Sequence, residues 1–113
     1  LVLNPFANYL VLDIDGAVEG YIGLWIDENA EVVNFYVSKD FQGQGFGEML
    51  LDFAVTLCRD SGVKALSLEV RKSNIKAINL YKKFGFIDSH VRDLYYEDGE
   101  DAIVMVKVFE VKK

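Results

Sequence analysis

Hydrophobic and polar positions alternate with a period of two through the first part of the chain, and further on the period lengthens to that of a helix. Tyr9–Ile14 (Y-L-V-L-D-I) and Val18–Ile26 are rich in β-branched and aromatic residues, which suit a pleated, half-buried surface. Asp15-Gly16 between them provides the positive φ angles of a tight hairpin turn. Asp27–Ala30 makes a second turn and Glu31–Val37 a third strand, so the chain opens as an antiparallel meander. From Gly45 onward Leu50, Ala54 and Leu57 form one apolar row, with Met49 and Phe53 beside it, the spacing of an amphipathic helix. Gly62 closes that helix as a left-handed cap. Ala65–Val70 (A-L-S-L-E-V) is a strand reached by a helical crossover, and it should lie parallel to Val32–Val37.

Ser73 or Asn74 caps a second helix, Ile75–Phe84, which Gly85 ends. Phe86–Tyr96 and Ala102–Val111 alternate as two strands around Glu97-Asp98-Gly99-Glu100. The order β-β-β-α-β-α-β-β implies a mixed, mostly antiparallel sheet with helices on its faces, an α/β (α+β) domain spanning 1–113. Trp25, Phe53 and Cys58 read as core, and His90 as a surface position on a late strand.

Composition narrows the functions available. No run approaches the roughly 18 apolar residues of a membrane span, and no signal-peptide pattern is present, so a soluble, cytoplasmic protein is expected. The lone Cys58 forms no internal disulfide and fits a reducing compartment; with His90 the only histidine, no metal site is expected. A net charge of −6 disfavours nucleic acid as a partner. The charge is also segregated: Arg71, Lys72, Lys76, Lys82 and Lys83 cluster in one stretch, Asp93, Glu97, Asp98, Glu100 and Asp101 in another. Two solvated faces would account for that, as would an anionic cofactor on one side and a cationic substrate on the other.

The stretch that points to chemistry is Phe35–Leu51, F-Y-V-S-K-D-F-Q-G-Q-G-F-G-E-M-L-L. A strand runs through a glycine-rich turn into a helix, so turn N–H groups and the free N–H groups of the first helical turn converge on one spot. The glycines admit a close ligand, most simply a phosphate. Glu48 follows Gly47, so neither the Lys-Ser/Thr of a nucleotide P-loop nor the dinucleotide glycine spacing is met. A ligand-free strand-to-helix connection would look similar.

Three motifs in order give more. Gln42-x-x-Gly45-x-Gly47, then Leu68-Glu69-Val70-Arg71, then N-x-x-A-x-x-L-Y-x-x-x-G-F from Asn74 to Phe86 together resemble the GNAT family of acetyl-CoA-dependent N-acetyltransferases. The resemblance runs from about Val32 to the C-terminus. L-E-V-R, N-x-x-A-x-x-L-Y and the tail Arg92-x-x-Tyr95-Tyr96 with Glu100–Met105 look like the ribosomal-protein alanine N-acetyltransferases (RimI type), which acetylate a ribosomal protein's N-terminal amine. The resemblance implies that coenzyme A lays its pyrophosphate on the N–H groups of Gly43, Gln44, Gly45, Phe46, Gly47 and Glu48, with Gln42 at the turn. It places the pantetheine arm along Phe35, Tyr36 and Val37, and a cofactor contact at Asn74. Glu69 matches the family's proton acceptor and Tyr81 its proton donor to the coenzyme A sulfur. A carboxylate among the apolar Leu66, Leu68 and Val70 would hold its proton more tightly, which suits a base near neutral pH. Read as residues alone, Glu69 could equally be a solvent-facing strand glutamate, Tyr81 a core aromatic and Asn74 a plain helix cap. Tyr95 and Tyr96 are candidates for an acceptor groove.

Two departures from the family stand out. Glu48 puts a negative charge beside the phosphate site. The family also opens with a strand and two helices that wall the acceptor groove, whereas this chain begins at Leu1, near the end of that region; an N-terminally truncated domain is expected. The reading is acetyl transfer to a primary amine, most simply the N-terminal alanine of a ribosomal protein. Lysine, polyamine or small-molecule acceptors, and a non-catalytic coenzyme A-binding module, remain open alternatives.

Overall fold

The computed structural model describes residues 2–3 and 7–109. Its strands are β1 (Val2–Leu3), β2 (Ala7–Ile14), β3 (Ala17–Ile26), β4 (Ala30–Val37), β5 (Ala65–Arg71), β6 (Ile87–Arg92) and β7 (Ala102–Val108), and its helices α1 (Phe46–Asp60) and α2 (Ile75–Lys83). The strands form one sheet in the order β1-β2-β3-β4-β5-β7-β6. The two-residue β1, which the alternation does not announce, pairs antiparallel with β2. The β2–β3 hairpin turns at Asp15 (φ 53°) and Gly16 (φ 85°), and the Asp13 carboxylate accepts the Gly16 N–H at 2.9 Å, so the meander forms as expected.

β4 and β5 are parallel, as the crossover requires, but they pair only at Ala30–Leu66 and Glu31–Ser67. Beyond those pairs the strands separate. The cause lies on the other side of β4, where the β3–β4 register slips between Gly23 and Leu24 so that Val33 becomes an extra residue. Such a bulge bends the strand that carries it. The bend opens a wedge between β4 and β5, and among the described residues no strand fills it.

The core comprises Ile22 and Leu24 of β3, Leu66, Leu68 and Val70 of β5, and Leu50, Leu51, Ala54, Val55 and Cys58 of α1, joined by Ile78, Tyr81, Phe86 and Met105. β5 alternates strictly, with Leu66, Leu68 and Val70 buried and Ser67, Glu69 and Arg71 on the opposite face. Two expectations of burial fail. Phe53 is 56% exposed and Trp25 47% exposed. The buried stripe of α1 follows Leu51, Val55 and Cys58 alongside Leu50 and Ala54, leaving Met49 and Phe53 outside it. Trp25 alternates with the buried Leu24 and so faces away from the helices.

The late strands also differ from the alternation. β6 stops at Arg92, not Tyr96, because Leu94 adopts φ 51° and its N–H is taken by the Asp101 carboxylate at 3.0 Å. The last strand ends at Val108, with Phe109 already outside it, so the strand is shorter there than expected, and its expected end at Val111 lies outside the described residues.

Candidate active site

The wedge and the glycine turn create two adjoining clefts. The larger, about 640 Å³, runs along Phe35–Val37 and past Gln42, Gly43, Gly45, Gly47 and Glu48 to Asn74 and the flank of α2. The smaller, about 260 Å³, lies between Val32–Phe35 of β4 and Leu68–Arg71 of β5, and Tyr96 closes it. Phe35, Asn74 and Tyr81 line both clefts.

The turn is shaped to hold an anion. Gly45 caps α1 in the left-handed region at φ 86°, and a Cβ there would meet nothing within 4 Å, so conformation and not crowding is what requires glycine. The first α-helical bond runs from the Met49 N–H to the Gly45 carbonyl at 3.0 Å. Ahead of it the N–H groups of Phe46, Gly47 and Glu48 have no intrahelical acceptor and sit at the positive end of a 15-residue helix. Gln42 fixes the turn by donating its side-chain amide to the Val37 carbonyl at 2.9 Å. Two expected contact residues stand behind the turn and do not line the cleft. The Gln44 amide donates to the Asp40 carbonyl at 3.0 Å, and the Phe46 ring packs on Phe41, 5.9 Å between centroids. Their contribution to a ligand would come from the backbone.

Glu48 does not aim its charge at the cradle. It pairs with Lys83 of α2 at 2.8 Å across the mouth of the larger cleft. Lys76, Ala77, Asn79, Leu80 and Lys83 line the same cleft, following from the Asn74 cap at helical spacing. Asn74 caps α2 through its side-chain oxygen, which accepts the Ala77 N–H at 3.2 Å.

At the junction Tyr81 packs against Phe35 and Phe86, with ring centroids at 6.4 and 5.9 Å. Burial, with the neighbouring Tyr96 phenol adding to it, pushes the Tyr81 hydroxyl up to about 12. It therefore stays protonated and able to donate across neutral pH. Glu69 lines the smaller cleft, but the apolar surroundings expected of it are absent. Its carboxylate points to the face away from the leucines and is bound by Arg92 at 2.7 Å. A strand's own alternation cannot show this, because β7 lies between β5 and β6 and sets which β6 side chains reach Glu69.

Tyr95 and Tyr96 lie on the loop after β6, each beneath a guanidinium: Arg92 stands 4.6 Å from the Tyr95 ring centre and Arg71 4.1 Å from that of Tyr96. Burial raises the Tyr96 phenol against the lowering effect of Arg71. Arg71 also grips Asp98 at 2.8 Å and Glu100 at 3.1 Å, and Glu100 accepts the Ser73 N–H at 2.9 Å. Much of the acidic stretch is thus spent on fixing this loop over the end of β5. The Ser73 bonds first, then Arg71, hold Glu100 below its ordinary range, and the Glu100 N–H does the same for Asp98. Among the described residues no cluster of histidine, cysteine and carboxylates could hold a metal, and no helix is long and apolar enough to cross a membrane. His90 is exposed on β6, as expected.

Residues 2–86 match the model of the acetyltransferase (GNAT) family. The chain belongs to that family. Its members use acetyl-CoA, and the cradle, the splayed β4 edge and the two lysines fit that cofactor's phosphates and extended arm. A Bacillus subtilis (strain 168) protein named "Putative ribosomal protein bS18-alanine N-acetyltransferase" is 46% identical over 107 residues, covering 93% of this chain and 71% of that protein. The crystal structure of the ribosomal-protein-S18-alanine N-acetyltransferase from Escherichia coli superposes with a TM-score of 0.91 at 32% identity, over 98% of this chain and 74% of that one. A GNAT acetyltransferase from Elizabethkingia anophelis, solved with acetyl-CoA bound, shares the fold at 22% identity with a TM-score of 0.85, over 93% of this chain and 78% of that one. The chain spans 55 to 71% of the length of five curated relatives that it matches.

Proposed function

We propose that this domain transfers acetyl from acetyl-CoA directly to a protein's N-terminal amine, with the N-terminal alanine of a ribosomal protein as its acceptor and the cytoplasm as its setting. The observation that carries the reading is the meeting of two clefts at Tyr81, one walled by an anion cradle and lysines, the other by a carboxylate. The names of the relatives support the acceptor class.

When bound, acetyl-CoA supplies an activated acetyl thioester. The N–H groups from Gly43 to Glu48 hold its pyrophosphate, helped by Lys76 and Lys83. The β4 backbone from Phe35 to Val37 lacks a strand partner on the side facing β5 among the described residues, so the groups on that side are available to the pantetheine arm, apart from the Val37 carbonyl that Gln42 occupies. The acceptor amine enters the smaller cleft, where Glu69 removes the proton that keeps it from being a nucleophile. Tyr81, a phenol that is protonated at neutral pH, donates to the departing sulfur.

The test is release of coenzyme A thiol on incubating the chain with acetyl-CoA and a peptide bearing a free N-terminal alanine, beside an N-blocked copy. Release with the free peptide alone is expected. A chain that binds acetyl-CoA but releases no thiol with peptide, polyamine or small amines would instead be a binding module. Release with small amines and not with the peptide would move the acceptor.

A further inference from the structure

Arg92 and Tyr95 take no part in the transfer steps above, yet both converge on Glu69. Arg92 ends β6, two strands from β5. Arg92 and Arg71 both oppose Ala102 of β7, while His90 and Glu69 both oppose Val104. Arg92 therefore lies one diagonal step from Glu69, within reach of a long side chain across a small alanine. Its Nη1 donates to Glu69 Oε1 at 2.7 Å, and the same guanidinium lies over the Tyr95 ring. The nearby Glu69 carboxylate is the first cause of the Tyr95 phenol's raised affinity for its proton.

Stability gives little reason for this arrangement. The Arg92 side chain is 49% exposed, and an ion pair with one partner so open to water adds little to stability. Its geometry does matter to a base, because a glutamate on a strand has rotatable bonds that a planar donor can restrict.

We propose that Arg92, backed by Tyr95, is a positioning residue for the proton acceptor: it holds one Glu69 oxygen and leaves the other facing the smaller cleft, where the acceptor ammonium gives up its proton. The inference rests on Glu69 being the base. It is tested by measuring kcat and KM with the alanine peptide for the wild-type chain, R92M, R92K, Y95F, E69Q and R92M/E69Q, with thermal unfolding followed alongside. R92M should lower kcat on the order of 10- to 100-fold with KM for acetyl-CoA changed less than about twofold. R92K should recover part of that loss, Y95F should show a smaller one, and R92M should cost nothing further in the E69Q background. An equal loss from R92M in both backgrounds, or full kcat in R92M, overturns the positioning role while the base reading stands. Wild-type kcat in E69Q removes the base and both readings with it.

Discussion

Replacing Gly45 separates the two things this residue does. In Gly45→Ala a Cβ meets nothing within 4 Å, so the cost is conformational alone: holding a non-glycine residue at φ 86° costs about 1–2 kcal/mol. That cost falls on folding and leaves the shape of the cradle unchanged. Gly45→Asp carries strain of the same kind and adds a carboxylate beside the proposed pyrophosphate position. Two like charges about 5 Å apart at an effective dielectric near 20 repel by roughly 3 kcal/mol. Allowing half of that for screening and side-chain rotation leaves a loss in acetyl-CoA affinity on the order of tenfold. Calorimetric titration with acetyl-CoA gives the affinities, and thermal unfolding the stabilities. Both variants should be destabilised, the alanine one at least as much as the aspartate one, and only the aspartate variant should bind clearly more weakly. A folded Gly45→Asp chain with wild-type affinity would refute the anion cradle. An alanine variant as weak as the aspartate one would show that backbone shape, not charge, sets the affinity.

Tyr81→Phe should lower kcat by roughly 100-fold or more while acetyl-CoA affinity holds; an unchanged kcat would exclude Tyr81 as the donor. Because the Tyr81 hydroxyl is raised to about 12 in the folded chain against about 10 when unfolded, its contribution to stability is fully present below pH of about 10 and is lost as pH climbs toward 12. Denaturant titrations across that range should therefore show a smaller alkaline loss in Tyr81→Phe than in the wild-type chain. Cys58, fully buried with its thiol pushed up to about 11, should resist iodoacetamide in the native state and react on unfolding; prompt native labelling would contradict its placement. Leu51→Ala, at a fully buried site, should cost about 2–5 kcal/mol by denaturant titration, whereas Phe53→Ala on the exposed flank of the same helix should cost well under that.

Local rules made much of this fold legible. The Asp-Gly turn fixed the hairpin, Gly62 and Gly85 ended their helices at φ 79° and 89°, and the crossover rule made β5 parallel to β4. What escaped depends on neighbours distant in sequence. Leu50 and Phe53 are equally apolar, and only the sheet beneath α1 decides which is buried. Tyr95 and Tyr96 continue the alternation of β6, but the Asp101 side chain captures the Leu94 backbone and turns the strand into a loop. Glu69 lines the smaller cleft, but its surroundings are set by Arg92, which β7 brings within reach from another strand. The bulge at Val33 and the wedge it opens have no signature in the spacing, although the glycine turn beside them does.

The most direct measurement is mass-spectrometric mapping of the acetyl group on a peptide with an N-terminal alanine and an internal lysine, after incubation with this chain and acetyl-CoA. One acetyl group on the α-amine, formed by the wild-type chain and strongly reduced with Glu69→Gln and Tyr81→Phe, is the expected result. Acetylation of the lysine alone, or an unmodified peptide in the presence of bound acetyl-CoA, would contradict N-terminal transfer by this domain.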